Sequence, residues 1–277
     1  MVAAIAAANA GRVVLVAKLA VGQAPWRSAE PKPPRSWTAA VRDALSFDGM
    51  PAATLNYLDA VTSGVDAPRP ASMPAGLPRR TLAESREPFG PVPPFRGCDI
   101  PSWNHDCLNS RYWSIYTRAT VPGTRELILP TGRRIEVGMI GGQPDDWSAT
   151  TPSAWLGIRA RTCGVMTMYA DYLHHLVFDD DGQVIGAAFG NHTVRVHDGV
   201  AFASTPQASD DSVLGEAWRW PDAQLGLTSA VASRFGRLEL VTSGETKPVS
   251  SARMAVSEAV ARSSGLGRAT RRHRSSR

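Results

Sequence analysis

Cysteine is scarce in this chain: 277 residues contain only Cys98, Cys107 and Cys163, and no two of them stand in a CxxC spacing. An odd number without paired spacing supports neither a disulfide framework nor a structural zinc site. Long apolar runs are missing too, and no stretch reaches the roughly 20 residues that a bilayer-spanning helix needs. The apolar first residues lack a basic lead-in and are interrupted by Asn9, Gly11 and Arg12, so they do not read as a signal peptide. Acidic residues are absent from LGRATRRHRSSR, residues 266–277, which hold five arginines. The formal charge of +5 is therefore a property of the tail, and the rest of the chain is neutral. No repeat recurs at solenoid spacing. A globular protein of the reducing cytoplasm is expected, with 43% hydrophobic residues and length for one large domain or two modest ones.

What is present begins with VAAIAAANAGRVVLVAK, residues 2–18: an alanine-rich helix, a stop at Gly11 and a short buried-type strand. APWRSAEPKPPRSW follows, and its prolines forbid regular helix or central strand. Apolar residues Val41, Leu45, Leu55, Leu58 and Val61 stand at helical spacing, broken near Gly49 and Pro51, which predicts two short helices. Residues 66–101 are proline-rich with interspersed arginines and read as an irregular excursion. RELILPTGRRIEV reads as a hairpin.

Residues 153–205 are the most legible. A helix from Ser153 to Thr162 stops at Gly164, and the apolar stretches VMTMY, YLHHLVF, QVIGAAF, TVRVH and GVAFAS follow, with a turn at Asp180-Asp181-Gly182. The expected arrangement is a helix, an antiparallel meander and a further strand lying beside residues 12–17.

The order of these pieces resembles the FAD-binding domain of the fumarate reductase and succinate dehydrogenase flavoprotein superfamily, in its 3-ketosteroid dehydrogenase-like branch. VAAIAAANAGRVVLVAK is similar to the family's first helix and second strand, and VGQAPWRS to its flavin loop. GVMTMYADYLHHLVFDDDGQVIGAA is similar to a segment in which an adenine-flanking strand and an acidic-Gly turn lead into a Val-x-Gly strand. DGVAFASTP falls where the family has an apolar strand ending in Ala-Thr-Gly-Gly.

The resemblance implies an α/β fold: an incomplete FAD-binding Rossmann-like domain with an antiparallel β-meander and an irregular insertion. On that plan residues 1–30 are a partial βαβ unit, 31–150 a Pro/Trp-rich insertion, 151–207 the helix and meander, 208–250 the start of a substrate domain, and 251–277 a basic, largely disordered tail. It places FAD against Lys18, Gly22, Ser28, Leu173 and Ala203, and implies a small-molecule substrate, steroid-like or dicarboxylate, that gives up a hydride beside a carbonyl. Departures from the pattern weaken this cofactor site. Ala17 stands where the family has the acid that holds the adenosine ribose, Gln23 replaces a glycine of the flavin loop, Thr205 and Pro206 replace two more, and no strand with a GxGxxG turn precedes the first helix. FAD is expected to be held weakly or not at all.

Other chemistries have fewer supports. His174 and His175 adjoin an acidic turn, but adjacent strand residues point to opposite faces, so a shared metal ion is not expected. Cys107 near His105 has the residue types of a nucleophile and base without an established context. Tyr112, Tyr116 and Tyr172 have the chemistry of proton donors but fit packing equally well. The arginine tail lacks interleaved aromatics, which argues against nucleic acid as a partner. A non-catalytic remnant or interaction protein is the alternative to a flavoenzyme.

Overall fold

The structure, a computed structural model, describes residues 1–19, 49–65, 77–81, 99–110, 112–119, 124–129, 132–142, 152–190, 192–203 and 222–242. The flavin loop with Gly22 and Ser28, the proline-rich linker, the first of the two short helices and the basic tail lie outside these residues.

Two helices end by the same device and each feeds a strand. Helix α1 (Val2–Asn9) stops where Gly11 takes a left-handed φ of 76°; Gly11 N donates to Ala8 O at 2.9 Å and Arg12 N to Ala7 O at 3.1 Å. The fourth described helix (Pro152–Thr162) stops at Gly164, φ 76°, with Gly164 N on Arg161 O at 3.0 Å and Val165 N on Ala160 O at 2.9 Å. This paired bonding closes the last carbonyls of a helix, and glycine adopts the required conformation without a Cβ clash. The strands so delivered, β1 (Leu15–Leu19) and β6 (Met166–Ala170), pair in parallel, with Leu15 opposite Met166 and Leu19 opposite Ala170. The helix ends are tied together as well: the Cys163 thiol reaches Asn9 Oδ1 at 3.2 Å, and Asn9 Nδ2 donates to Met139 O at 3.2 Å.

A meander follows, as the sequence predicts. Strands β7 (His175–Phe178), β8 (Val184–Phe189) and β9 (His192–Arg195) form a three-stranded antiparallel sheet. Asp179 sets the first turn: its Oδ1 accepts from Asp181 N at 3.1 Å and Gln183 N at 2.8 Å, and Gly182 takes φ 74°. One expectation is corrected. The strand beside residues 12–17 is β6, ahead of the meander, whereas β10 (Ala201–Ala203) joins a different sheet. A parallel partner for β1 needs a helical crossover before it, and the Pro152–Thr162 helix supplies one to β6 alone.

The larger body is a seven-stranded sheet in the order β10, β3 (Trp113–Tyr116), β12 (Phe235–Thr242), β11 (Gln224–Ala230), β5 (Arg134–Gly142), β4 (Arg125–Ile128), with β2 (Arg79–Thr81) pairing in parallel along the end of β12. β4 and β5 are the hairpin read from RELILPTGRRIEV. Most pairings in the molecule are antiparallel; β1–β6 and β2–β12 are parallel. The fold is thus a mixture of helices and mainly antiparallel sheets.

The central strands β3, β11 and β12 are buried on both faces, so two cores flank the sheet. Ile5 of α1, Leu156, Ile140, Leu225, Leu227, Leu238 and Leu240 make one core beneath α1 and the Pro152–Thr162 helix. A second core joins helix α2 (Ala52–Thr62) and helix α3 (Asp99–Leu108) to the meander through Leu58, Trp103, Leu108, Leu173, Leu176, Phe202 and Phe235. The Pro152–Thr162 helix is α4 below.

Gly186 gives the Val-x-Gly segment of β8 a physical reason. A Cβ there would lie 2.9 Å from the backbone oxygen of Val194 and 3.2 Å from Val177 Cβ, so only glycine lets β9 approach β8 without a shift. Gly186→Ala should destabilise the protein by about 1–3 kcal/mol, the usual cost of overpacking, read as a lower urea midpoint at unchanged slope. An unchanged midpoint would contradict this packing.

Candidate functional site

Of the residues that the resemblance assigns to FAD, the three that the structure describes lie in three different segments. Lys18 is exposed in β1, with its ammonium 5.8 Å from the centre of the Tyr169 ring on β6. Leu173 is 2% exposed in the core under the meander. Ala203 is exposed on β10, opposite Ser114 of β3.

The histidine geometry differs from the expectation. β7 begins at His175, so His174 precedes the strand and is free of its alternation; the two rings meet edge-on, centroids 5.0 Å apart, with the Nδ1 atoms 2.7 Å apart. Such a contact requires one nitrogen to donate and the other to accept. Among the described residues no three His, Cys, Asp or Glu side chains are placed to hold a metal ion.

Cys107 is fully buried in α3, and that burial pushes its thiol well above the ordinary range, with Arg237 opposing the shift. His105 is exposed and its ring faces the Asn109 amide at 3.1 Å rather than the thiol. A thiol so held is a poor nucleophile. Tyr112 and Tyr116 are core residues under α1 and α4, and burial raises the Tyr116 phenol above its ordinary range.

Beside the second core, α2, α3 and the turn between β11 and β12 line an open cleft of about 330 Å³, at the lower end of the size range of small-ligand pockets. Its walls mix Val61, Ile100 and Phe235 with Tyr57, Asn104, Ser233 and Arg234. Each polar group is oriented by a neighbour. Arg234 Nη1 donates to Tyr57 Oη at 2.7 Å and to Thr117 O at 2.8 Å, and the phenol itself donates to Thr117 O at 3.0 Å. Burial raises the Tyr57 phenol above its ordinary value and Arg234 pulls it back, so it stays a neutral donor near pH 7. Ser233 Oγ donates to Asn104 Oδ1 at 2.8 Å. Ala232, which precedes Ser233 in the turn, has φ 67°, a left-handed conformation that costs a residue bearing a Cβ about 1–2 kcal/mol.

A buried charge cluster lies against Trp103 of the second core. Glu239 is 1% exposed; Arg80 of β2 reaches both its oxygens, at 2.5 and 3.1 Å, and Arg237 donates to Oε1 at 2.8 Å. The Arg237 guanidinium also lies 5.0 Å over Trp103, whose indole N–H donates to Phe235 O at 3.0 Å.

Set against family models, curated proteins and solved structures, the chain matches none. Sequence reasoning misses the cleft, whose residues come from three separated stretches; the one local signal is Ser233-Arg234, a polar pair between two apolar strands.

Iodoacetamide should label Cys163, which is part-exposed, and leave Cys107 unmodified until the protein is unfolded. Native-state labelling of Cys107 at the rate of Cys163 would contradict the burial and raised thiol described for it.

Proposed function

We propose that this chain is related to the FAD-dependent dehydrogenases, is cytoplasmic, and retains the cofactor weakly or not at all. One observation carries the reading: two helix–Gly–strand units whose strands pair in parallel, the second leading into a meander with a Val-x-Gly strand. In intact relatives the flavin takes a hydride from a carbon next to an activating carbonyl, and steroid-like or dicarboxylate substrates belong to the same reading. The described residues do not fit the ribose of FAD. Ala17 lies in β1 opposite Met168, its methyl accepts no hydrogen bond, and neither β1 nor β6 carries an acid.

A non-catalytic interaction protein is the second reading, favoured by exposed Val13, Leu15, Ile158, Met166 and Tyr169, which all lie on or beside α4, β1 and β6.

Flavin absorbance per purified chain and a fluorescence titration with FAD separate the two. The expected result is far less than one FAD per chain, with affinity rising about tenfold in Ala17→Glu, the value of one charged hydrogen bond to a ribose hydroxyl. Stoichiometric flavin in the unmodified protein would overturn the weak-retention reading, and absence of FAD binding by both proteins would overturn the relation to flavoenzymes.

A further inference from the structure

The strongest feature outside the β1–β6 unit is the Arg234 cleft, and it does not depend on the flavin reading. An arginine keeps its charge at any physiological pH, so a half-buried guanidinium calls for an anion. Among the described residues no carboxylate lies within ion-pair distance of Arg234; its contacts are the neutral Tyr57 phenol and the Thr117 carbonyl, both through Nη1, and the Tyr57 ring, whose centre is 6.0 Å from the guanidinium carbon. The contrast with Arg80, Arg134 and Arg237 is direct, since each of these is paired with a glutamate. Nη1 is occupied, which leaves the Nε–Nη2 edge, the edge that forms paired hydrogen bonds to a planar carboxylate.

The rest of the cleft defines the remainder of the ligand. Asn104 has its oxygen engaged by Ser233, leaving its Nδ2 donor, while Val61, Ile100 and Phe235 supply an apolar wall. One cation, one amide donor and an apolar wall suit a singly charged, partly apolar anion better than phosphate, which needs more donors and more positive charge. The left-handed Ala232 fits the same picture: backbone strain persists where the surrounding contacts hold it, and it concentrates at ligand sites.

We propose that this cleft binds a small organic monocarboxylate, with the carboxylate on Arg234 and its apolar body against Val61, Ile100 and Phe235. Calorimetric titration with sodium benzoate at fixed ionic strength tests it, with benzamide as the neutral isostere and inorganic phosphate as the competing anion. Benzoate should bind saturably, and benzamide and phosphate at least about tenfold more weakly, the cost of losing a charge-assisted pair. Arg234→Gln should weaken benzoate by a similar factor. Because Arg234 also bonds Thr117 O, Ala60→Trp provides a second variant: Ala60 is exposed on α2 at the cleft, so the indole fills it without touching a core contact, and benzoate binding should be lost at an unchanged melting temperature. The proposal is overturned by the absence of saturable benzoate binding, by benzamide or phosphate binding as tightly, or by Ala60→Trp binding benzoate as the parent does.

Discussion

The Glu239 carboxylate sits nearly without solvent within the buried strand β12, and a charge so placed must be met by other charges. Alone it would cost several kcal/mol; its partners are Arg80 from β2 and Arg237 from two residues earlier on the same face of β12. Arg237 is in turn fixed over Trp103, whose indole bonds back to β12 at Phe235. Three elements far apart in sequence are therefore held in one register by a single carboxylate. An ion cluster of this kind adds little net stability compared with a well-packed apolar one, but removing one member costs about 3–5 kcal/mol, so it constrains the arrangement strongly. The remaining sheet grows from the strand that it fixes. β12 pairs with β11 along its length, with β3 at its start and with β2 at its end, and the turn carrying Ala232, Ser233 and Arg234 opens directly into it.

The β1–β6 pair is built differently. Its two strands are half-exposed, while β11 and β12 are buried almost throughout, and parallel pairs are ordinarily covered on both faces. The large exposed apolar side chains of the described residues gather on or beside this unit and α4. A nucleotide fold needs several parallel strands to shape a crevice at their carboxyl ends, and the described residues of this unit supply two. The exposed apolar edge has its origin in this short, half-covered parallel pair. The arginine cleft is lined instead by α2, α3 and the turn into β12, elements of the second core, whereas α1 and α4 pack on the first.

What the sequence discloses is local. The helix stops at Gly11 and Gly164, the Asp179–Gly182 turn, the RELILPTGRRIEV hairpin and the meander all depend on residues within a few positions of one another, and all are present. Pairings across long separations leave no such trace. Arg80 and Glu239 are 159 positions apart, Tyr57 and Arg234 are 177, and each read singly is an ordinary polar residue. The strand partner of β1 is illegible for the same reason, since an apolar run does not say which of two sheets it joins. The histidine pair is hidden for another reason: the strand boundary falls between His174 and His175, and the alternation of side chains does not reach across it.

Native-state hydrogen exchange addresses the central claim, that the sheet organised on β12 is the stable body and the β1–β6 unit its weakly held companion. Amides of residues 225–230 and 235–242 should exchange slowest, near the global unfolding limit, while those of residues 15–19 and 166–170 open through smaller fluctuations and exchange faster. Equal protection in the two regions, or slower exchange in β1 and β6, would contradict the account.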